Sequence, residues 1–325
     1  MDKAHIKASS DIEKIESYQY QLIEKKFSFL LESYSNTAEH EQAVYKINSL
    51  MKQGVTEDEI FSSFTGFRFP LPHCIAFASG KGGVGKSMLA TNTAVYYANT
   101  GKKVLLFDAD YGLSNANIYL NFRTEKSLLD FFLSGDPEDA LEIIRPNLHY
   151  VHTGSGDLKL TDLKEHEFIR IRKMLLTLAG KYDVIILDCS PGIGRGIIQT
   201  LSMGARTVLV TSTQSSAITD TYALLKVLCQ TIINPHCGIV VNMARSINEA
   251  ENAFQRISLC AKKFLKRDID FLGIVPYSFK ISQSLNNRKP IVSMYPTDIR
   301  SGKRIIDLAK KLFSSIENEK MQRSK

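Results

Sequence analysis

Eight consecutive residues, Gly80-Lys81-Gly82-Gly83-Val84-Gly85-Lys86-Ser87, combine free backbone amides, two ammonium groups and a hydroxyl. The glycines let N–H groups turn inward around an anion with no Cβ in the way. Lys86 brings a positive charge to the β and γ oxygens of a bound nucleotide, and the Ser87 hydroxyl is a hard oxygen ligand for Mg²⁺. The stretch fits G-x-x-x-x-G-K-[ST] at every fixed position,. The apolar run 75–78 before it reads as a buried parallel strand. Residues 88–98 after it, beginning with Met88, read as a helix closed by Gly101,. Strand, glycine loop and helix therefore follow in the order a phosphate cradle needs, with the positive end of the helix dipole at the anion.

Several further polar residues stand just beyond apolar runs. Asp188 follows 184–187 and is placed to hold Mg²⁺ through water. Asp108 and Asp110 follow 103–107. Asp110 is close enough to orient a water at a γ-phosphate, while Asp108 supports the Mg²⁺ shell or the loop. A turn or a helix cap is the plainer use of any one of these aspartates. Asn242 follows 238–241 and has both a donor and an acceptor for the edge of a base,.

Lys81 sits too early in the loop to share the work of Lys86, and its most economical use is to reach the nucleotide of a facing subunit. The pattern K-G-G-x-G-K-[ST] resembles the deviant Walker A ATPases of the MinD/ParA class. That resemblance implies a dimer sandwiching two ATP molecules, with Lys81, Lys86 and Asp110 as the catalytic set. It also implies that Asn242 contacts adenine and that Pro276 and Tyr277 close over the base.

Other stretches are similar to the FlhG (FleN/YlxH) family of flagellar number regulators. They are 107–117, 218–226, Val241-Asn242-Met243-Ala244-Arg245-Ser246 leading into Glu249-Ala250, and Val275-Pro276-Tyr277 followed downstream by Arg288-Lys289-Pro290 and Tyr295-Pro296. The resemblance covers about residues 74–315,. It implies a cytoplasmic ATP-dependent homodimer with an FlhF-like GTPase and flagellar basal-body or regulatory proteins as partners. An anionic membrane surface at the inner face of the cell membrane is a further expected contact. That family often carries D-Q-A-x-x-L-R before the P-loop; here Glu41-Gln42-Ala43-Val44-Tyr45-Lys46-Ile47 is similar and differs at its last two positions. A ParA-like DNA-partition or MinD-like division-positioning ATPase is the alternative. A metabolic P-loop enzyme is weaker, because no second substrate motif is visible.

These residues need a scaffold. The chain of 325 residues is 44% hydrophobic and 23% charged, the balance of a globular protein,. From residue 74 onward apolar strands alternate with amphipathic helices such as 165–178, 218–229 and 249–264. That alternation predicts an α/β fold, a doubly wound, mostly parallel sheet with helices on both faces. Ligands on such sheets bind at the carboxyl ends of strands, so the P-loop, Asp110, Asp188 and Asn242 should share one edge.

Residues 1–69 read as a helical N-terminal extension and 70–325 as the ATPase domain. Helices are expected over 12–31, 38–51 and 56–64, with a linker at 68–72,. The extension holds eight Lys and Arg against eleven Asp and Glu, a net charge of −3. Residues 245–325 hold seventeen against eight, a net charge of +9, and could meet nucleic acid, an acidic partner or a membrane,. The last helix, 302–316, has an apolar face flanked by Lys303, Arg304, Lys310 and Lys311. That face either lies on a membrane or covers the sheet,. Five scattered cysteines with no C-x-x-C read as buried free thiols,.

Overall fold

The computed structural model describes residues 21, 23, 37–54, 60, 71, 73–111, 114–154, 158–204, 206–232, 235–295 and 300–323. The chain divides into two compact units, Met1–Phe67 and Arg68–Lys325. In the first, helix α1 (Thr37–Lys52) buries Ala43, Val44 and Ile47 in a small cluster with Ile23 and Ile60. Tyr45, on the same helix, is exposed. The expected helices at 12–31 and 56–64 and the linker at 68–72 lie almost wholly outside the described residues.

The second unit is built on eight strands: β1 (Cys74–Ala78), β2 (Val104–Ala109), β3 (Leu141–Arg145), β4 (Leu148–His152), β5 (Val184–Cys189), β6 (Arg206–Thr211), β7 (Cys237–Ala244) and β8 (Asp270–Pro276). Their order across the sheet is β3-β4-β2-β5-β1-β6-β7-β8. All neighbours pair in parallel except β3 with β4. Helices of eight residues or more follow as α2 (Lys86–Asn99), α3 (Glu165–Ala179), α4 (Arg195–Met203), α5 (Ser215–Thr231), α6 (Ile247–Cys260), α7 (Phe279–Asn286) and α8 (Arg300–Arg323).

Successive residues of a strand point to opposite faces, and both faces here are apolar. Ile75, Phe77, Val104 and Leu106 pack with α2 and α8. Ala76, Ala78, Leu105 and Phe107 pack with α3, α4, α5 and α6. The expected doubly wound sheet is therefore present.

One local expectation changes, and one left open is decided. Strands β2 and β5 run two residues further than their apolar runs, so Asp108 and Asp188 lie inside the sheet, paired in register. The last helix covers the sheet and does not offer its apolar face to a membrane. Ile305, Leu308, Ala309, Leu312 and Ile316 of α8 are all buried. The Tyr97 hydroxyl donates to the Ala309 carbonyl at 2.6 Å, and Phe313 packs on the Tyr97 ring at 5.5 Å. The flanking Lys311 ammonium donates to the Phe271 carbonyl. A parallel sheet needs both faces covered, and α8 supplies the cover. Truncating Leu312 to Ala should therefore cost about 2–5 kcal/mol, read as a lower urea midpoint at unchanged slope. No described helix is long and apolar enough to cross a membrane.

Candidate functional site

The glycine loop leaves β1 and enters α2 at Gly85, whose φ of +89° belongs to the left-handed region,. A Cβ there would also lie 2.2 Å from Nδ2 of Asn242. That nitrogen donates to the Val84 carbonyl at 2.8 Å, so Asn242 braces the loop from the end of β7. Its Oδ1 is buried with no hydrogen-bond partner among the described residues. Gly80 answers a different need, because a Cβ would stand 2.2 Å from the Asp220 carbonyl group of α5.

Lys86 is the charged centre of the loop. Its ammonium pairs with the Asp188 carboxylate and donates to the Ser87 hydroxyl at 3.1 Å. Lys86 and Asp188 are 6% and 1% exposed, so the pair is screened little by solvent,. Burial pushes Asp188 up to about 6, against the opposing pull of Lys86. Burial would lower the Lys86 ammonium, but Asp188 beside it, aided by Cys189 and Asp108, holds it above its ordinary value. A hydroxyl and a carboxylate already sharing one cation form a donor set that fits Mg²⁺.

The neighbouring aspartates divide their work. Asp108 is buried, and its carboxylate accepts from the N–H groups of Asp110, Asn115 and Ala116 and from the Tyr150 hydroxyl at 2.9 Å. Burial raises it, with those bonds opposing. Of the two uses open to Asp108, these contacts belong to the loop. Asp110 stands just past β2, half-buried, and its Oδ1 accepts from the Ser190 hydroxyl at 3.0 Å.

A cavity of about 250 Å³ opens over this centre. Gly82, Gly83, Gly85, Lys86, Ser87 and Met88 line it, as do Ser79 and Asp110. Tyr119, Pro191 and Met243 complete the wall with Ile281 and Leu285 of α7. Sequence reasoning did not single out those five. Tyr119 ends a four-residue helical turn, Ala116–Tyr119, whose first amide is fixed by Asp108. Met243 follows Asn242 with φ +58°, a conformation a side chain adopts rarely. Neither a motif nor a spacing marks Ile281 and Leu285.

Several expected members stand outside this wall, among them Gly80, Val84, Asn242, Asp108 and Asp188. Pro276 ends β8, and Tyr277 is 63% exposed with its N–H bonded to the Ala244 carbonyl. Lys81 does not line the cavity either. Its ammonium donates to the Ser216 hydroxyl at 2.8 Å, at the first turn of α5.

Residues 75–291 match the CobQ/CobB/MinD/ParA nucleotide binding domain. The chain is 27% identical to the antiactivator FleN of Pseudomonas aeruginosa over 68% of its length and 80% of that protein. It is 30% identical to the flagellum site-determining protein YlxH of Helicobacter pylori, covering 75% of this chain and 82% of that protein. Among solved structures, the septum site-determining protein MinD of Pyrococcus horikoshii, complexed with Mg-ADP, superposes with a TM-score of 0.61. Its identity is 26%, over 74% of this chain and 95% of that one.

Proposed function

The chain belongs to the CobQ/CobB/MinD/ParA nucleotide-binding family, and from that premise we propose that it is an ATP-operated dimerising switch that controls flagellar number or placement. The observation that carries this reading is the Lys86 ammonium held between Ser87 and Asp188 at the floor of a glycine-loop cavity that Asp110 also lines. ATP lies with its β and γ phosphates on the loop amides and Lys86. Ser87 and Asp188 hold Mg²⁺, which when bound neutralises charge on those oxygens. The Asn242 acceptor left over from bracing Val84 suits the amino group of adenine,. Pro276 and Tyr277 are assigned to the base side of the site on resemblance alone.

Hydrolysis is slow and needs Asp110. This carboxylate orients a water whose oxygen bonds to the γ-phosphorus as the bond to the β–γ bridging oxygen breaks. ADP leaves with that electron pair, and the water's proton passes by way of the carboxylate to phosphate or solvent. Lys81, which lies off its own cavity, completes the site of a second copy. Light scattering tests the switch directly. A dimer should form with ATP and dissociate with ADP, and a protein that stays monomeric under saturating ATP overturns the reading.

The flagellar assignment rests on the likeness to FleN and YlxH. An FlhF-like GTPase is the partner proposed for residues 1–69. On α1, Glu41 and Tyr45 face outward while Ala43, Val44 and Ile47 are buried, leaving a polar stripe for that partner. Removing residues 1–69 should leave ATP binding within about twofold of the full chain. The same truncation should abolish binding of the GTPase. Loss of nucleotide binding in a folded truncated protein contradicts a docking role.

A further inference from the structure

We propose that Ser190 is a positioning residue for the hydrolytic step, aiming the Asp110 carboxylate through its hydroxyl. The inference rests on the ATPase reading above. It begins with register. Strands β2 and β5 pair Asp108 with Asp188 and Ala109 with Cys189. Asp110 and Ser190 are therefore the next residues on each side, the first beyond the ladder and neighbours by construction. The Ser190 hydroxyl lies 3.0 Å from Asp110 Oδ1 and 3.2 Å from the Ala109 carbonyl. A hydroxyl has one proton to donate, and an ionised carboxylate attracts it more strongly than a carbonyl does.

Among the described residues, that hydroxyl is the hydrogen-bond donor to the Asp110 carboxylate. The segments leaving the two strands are joined a second time. The Tyr111 hydroxyl lies 2.9 Å from Thr200 Oγ1 of α4, both buried. The Asp110 backbone is held at its N–H by the Asp108 carboxylate and at its carbonyl by the Thr153 hydroxyl, and the rotation left to Asp110 is that of its own side chain. Ser190 removes that freedom. It stands two residues beyond Asp188, so it links the carboxylate that orients water to the strand that carries the one assigned to the metal.

Ser190→Ala deletes one half-buried oxygen and leaves the backbone of the loop unchanged. Its kcat should fall about tenfold while ATP affinity stays within about twofold, because orientation and not binding is lost. Ser190→Thr keeps the hydroxyl and should restore most of the turnover. In an Asp110→Ala background the same Ser190→Ala change should have no further effect, since nothing remains to be aimed. All four variants are measured as full-length protein, by phosphate release and by ATP titration. Unchanged or raised turnover in Ser190→Ala overturns the proposal, as does an equal loss in the presence and absence of Asp110. Asp110→Ala turning over at the wild-type rate would instead remove the hydrolysis reading on which it rests.

Discussion

Lys86→Ala loses at least about 100-fold in ATP affinity, because charge-assisted bonds to phosphate contribute about 1.5–3 kcal/mol each and this ammonium makes more than one. The structure adds a second consequence. Lys86 is the cation paired with Asp188, and both are buried. Removing the lysine leaves a buried carboxylate already pushed up to about 6 with no compensating charge. Breaking such a pair costs about 3–5 kcal/mol, so the single variant should also be less stable. A double variant, Lys86→Met with Asp188→Asn, separates the two effects. It replaces the ion pair by neutral groups of similar size and should recover most of the stability, while ATP binding stays lost. Calorimetric ATP titration and urea unfolding on the three proteins provide the comparison. Wild-type ATP affinity in either variant would falsify the assignment of the phosphate site.

The contrast between what sequence showed and what it hid follows from how each feature is encoded. The P-loop was legible because its parts lie within eight consecutive residues, where spacing alone sets geometry. The parallel strands were legible because a strand buried on both faces reads as an unbroken apolar run. Strand β3 was not, since Glu142 and Arg145 interrupt it and Ile143 is left 66% exposed, so no such run marks it.

The ends of β2 and β5 were misplaced for a related reason. An aspartate after an apolar run reads as a stop. Asp108 nevertheless continues the ladder because four donors meet its carboxylate. Those donors come from residues 110–150 and are invisible locally. The cavity wall shows the same limit. Ile281 and Leu285 reach it from α7, some forty residues beyond Asn242,. Tyr277, expected there from the resemblance, is exposed, and its N–H bonds to the Ala244 carbonyl. Position along the chain determined which edge of the sheet a residue occupies, not where its side chain goes.

The largest effect on assembly should come from Lys81→Ala. In the free chain this ammonium rests on the Ser216 hydroxyl at an exposed site, a contact whose loss moves stability by about 0.5 kcal/mol or less. The monomer should therefore fold and bind ATP through Lys86 much as before. In the proposed dimer the same ammonium would meet the phosphates of the facing copy, and two-fold symmetry would double the loss. Two charged bonds at about 1.5–3 kcal/mol each weaken dimerisation by roughly 100-fold to 10,000-fold. Turnover, which needs the completed site, should vanish at protein concentrations where the wild type is dimeric. Hydrolysis would complicate a direct reading, because the proposed wild-type dimer would consume the ATP that holds it together. Asp110→Ala removes that complication and should accumulate as a stable ATP dimer. Adding Lys81→Ala to it then reports on assembly alone. Sedimentation or light scattering at saturating ATP should show a dimer for Asp110→Ala and a monomer for the double variant. A double variant that dimerises as tightly as Asp110→Ala would mean that Lys81 never leaves Ser216 for a second nucleotide, and the facing-subunit role would have to be abandoned.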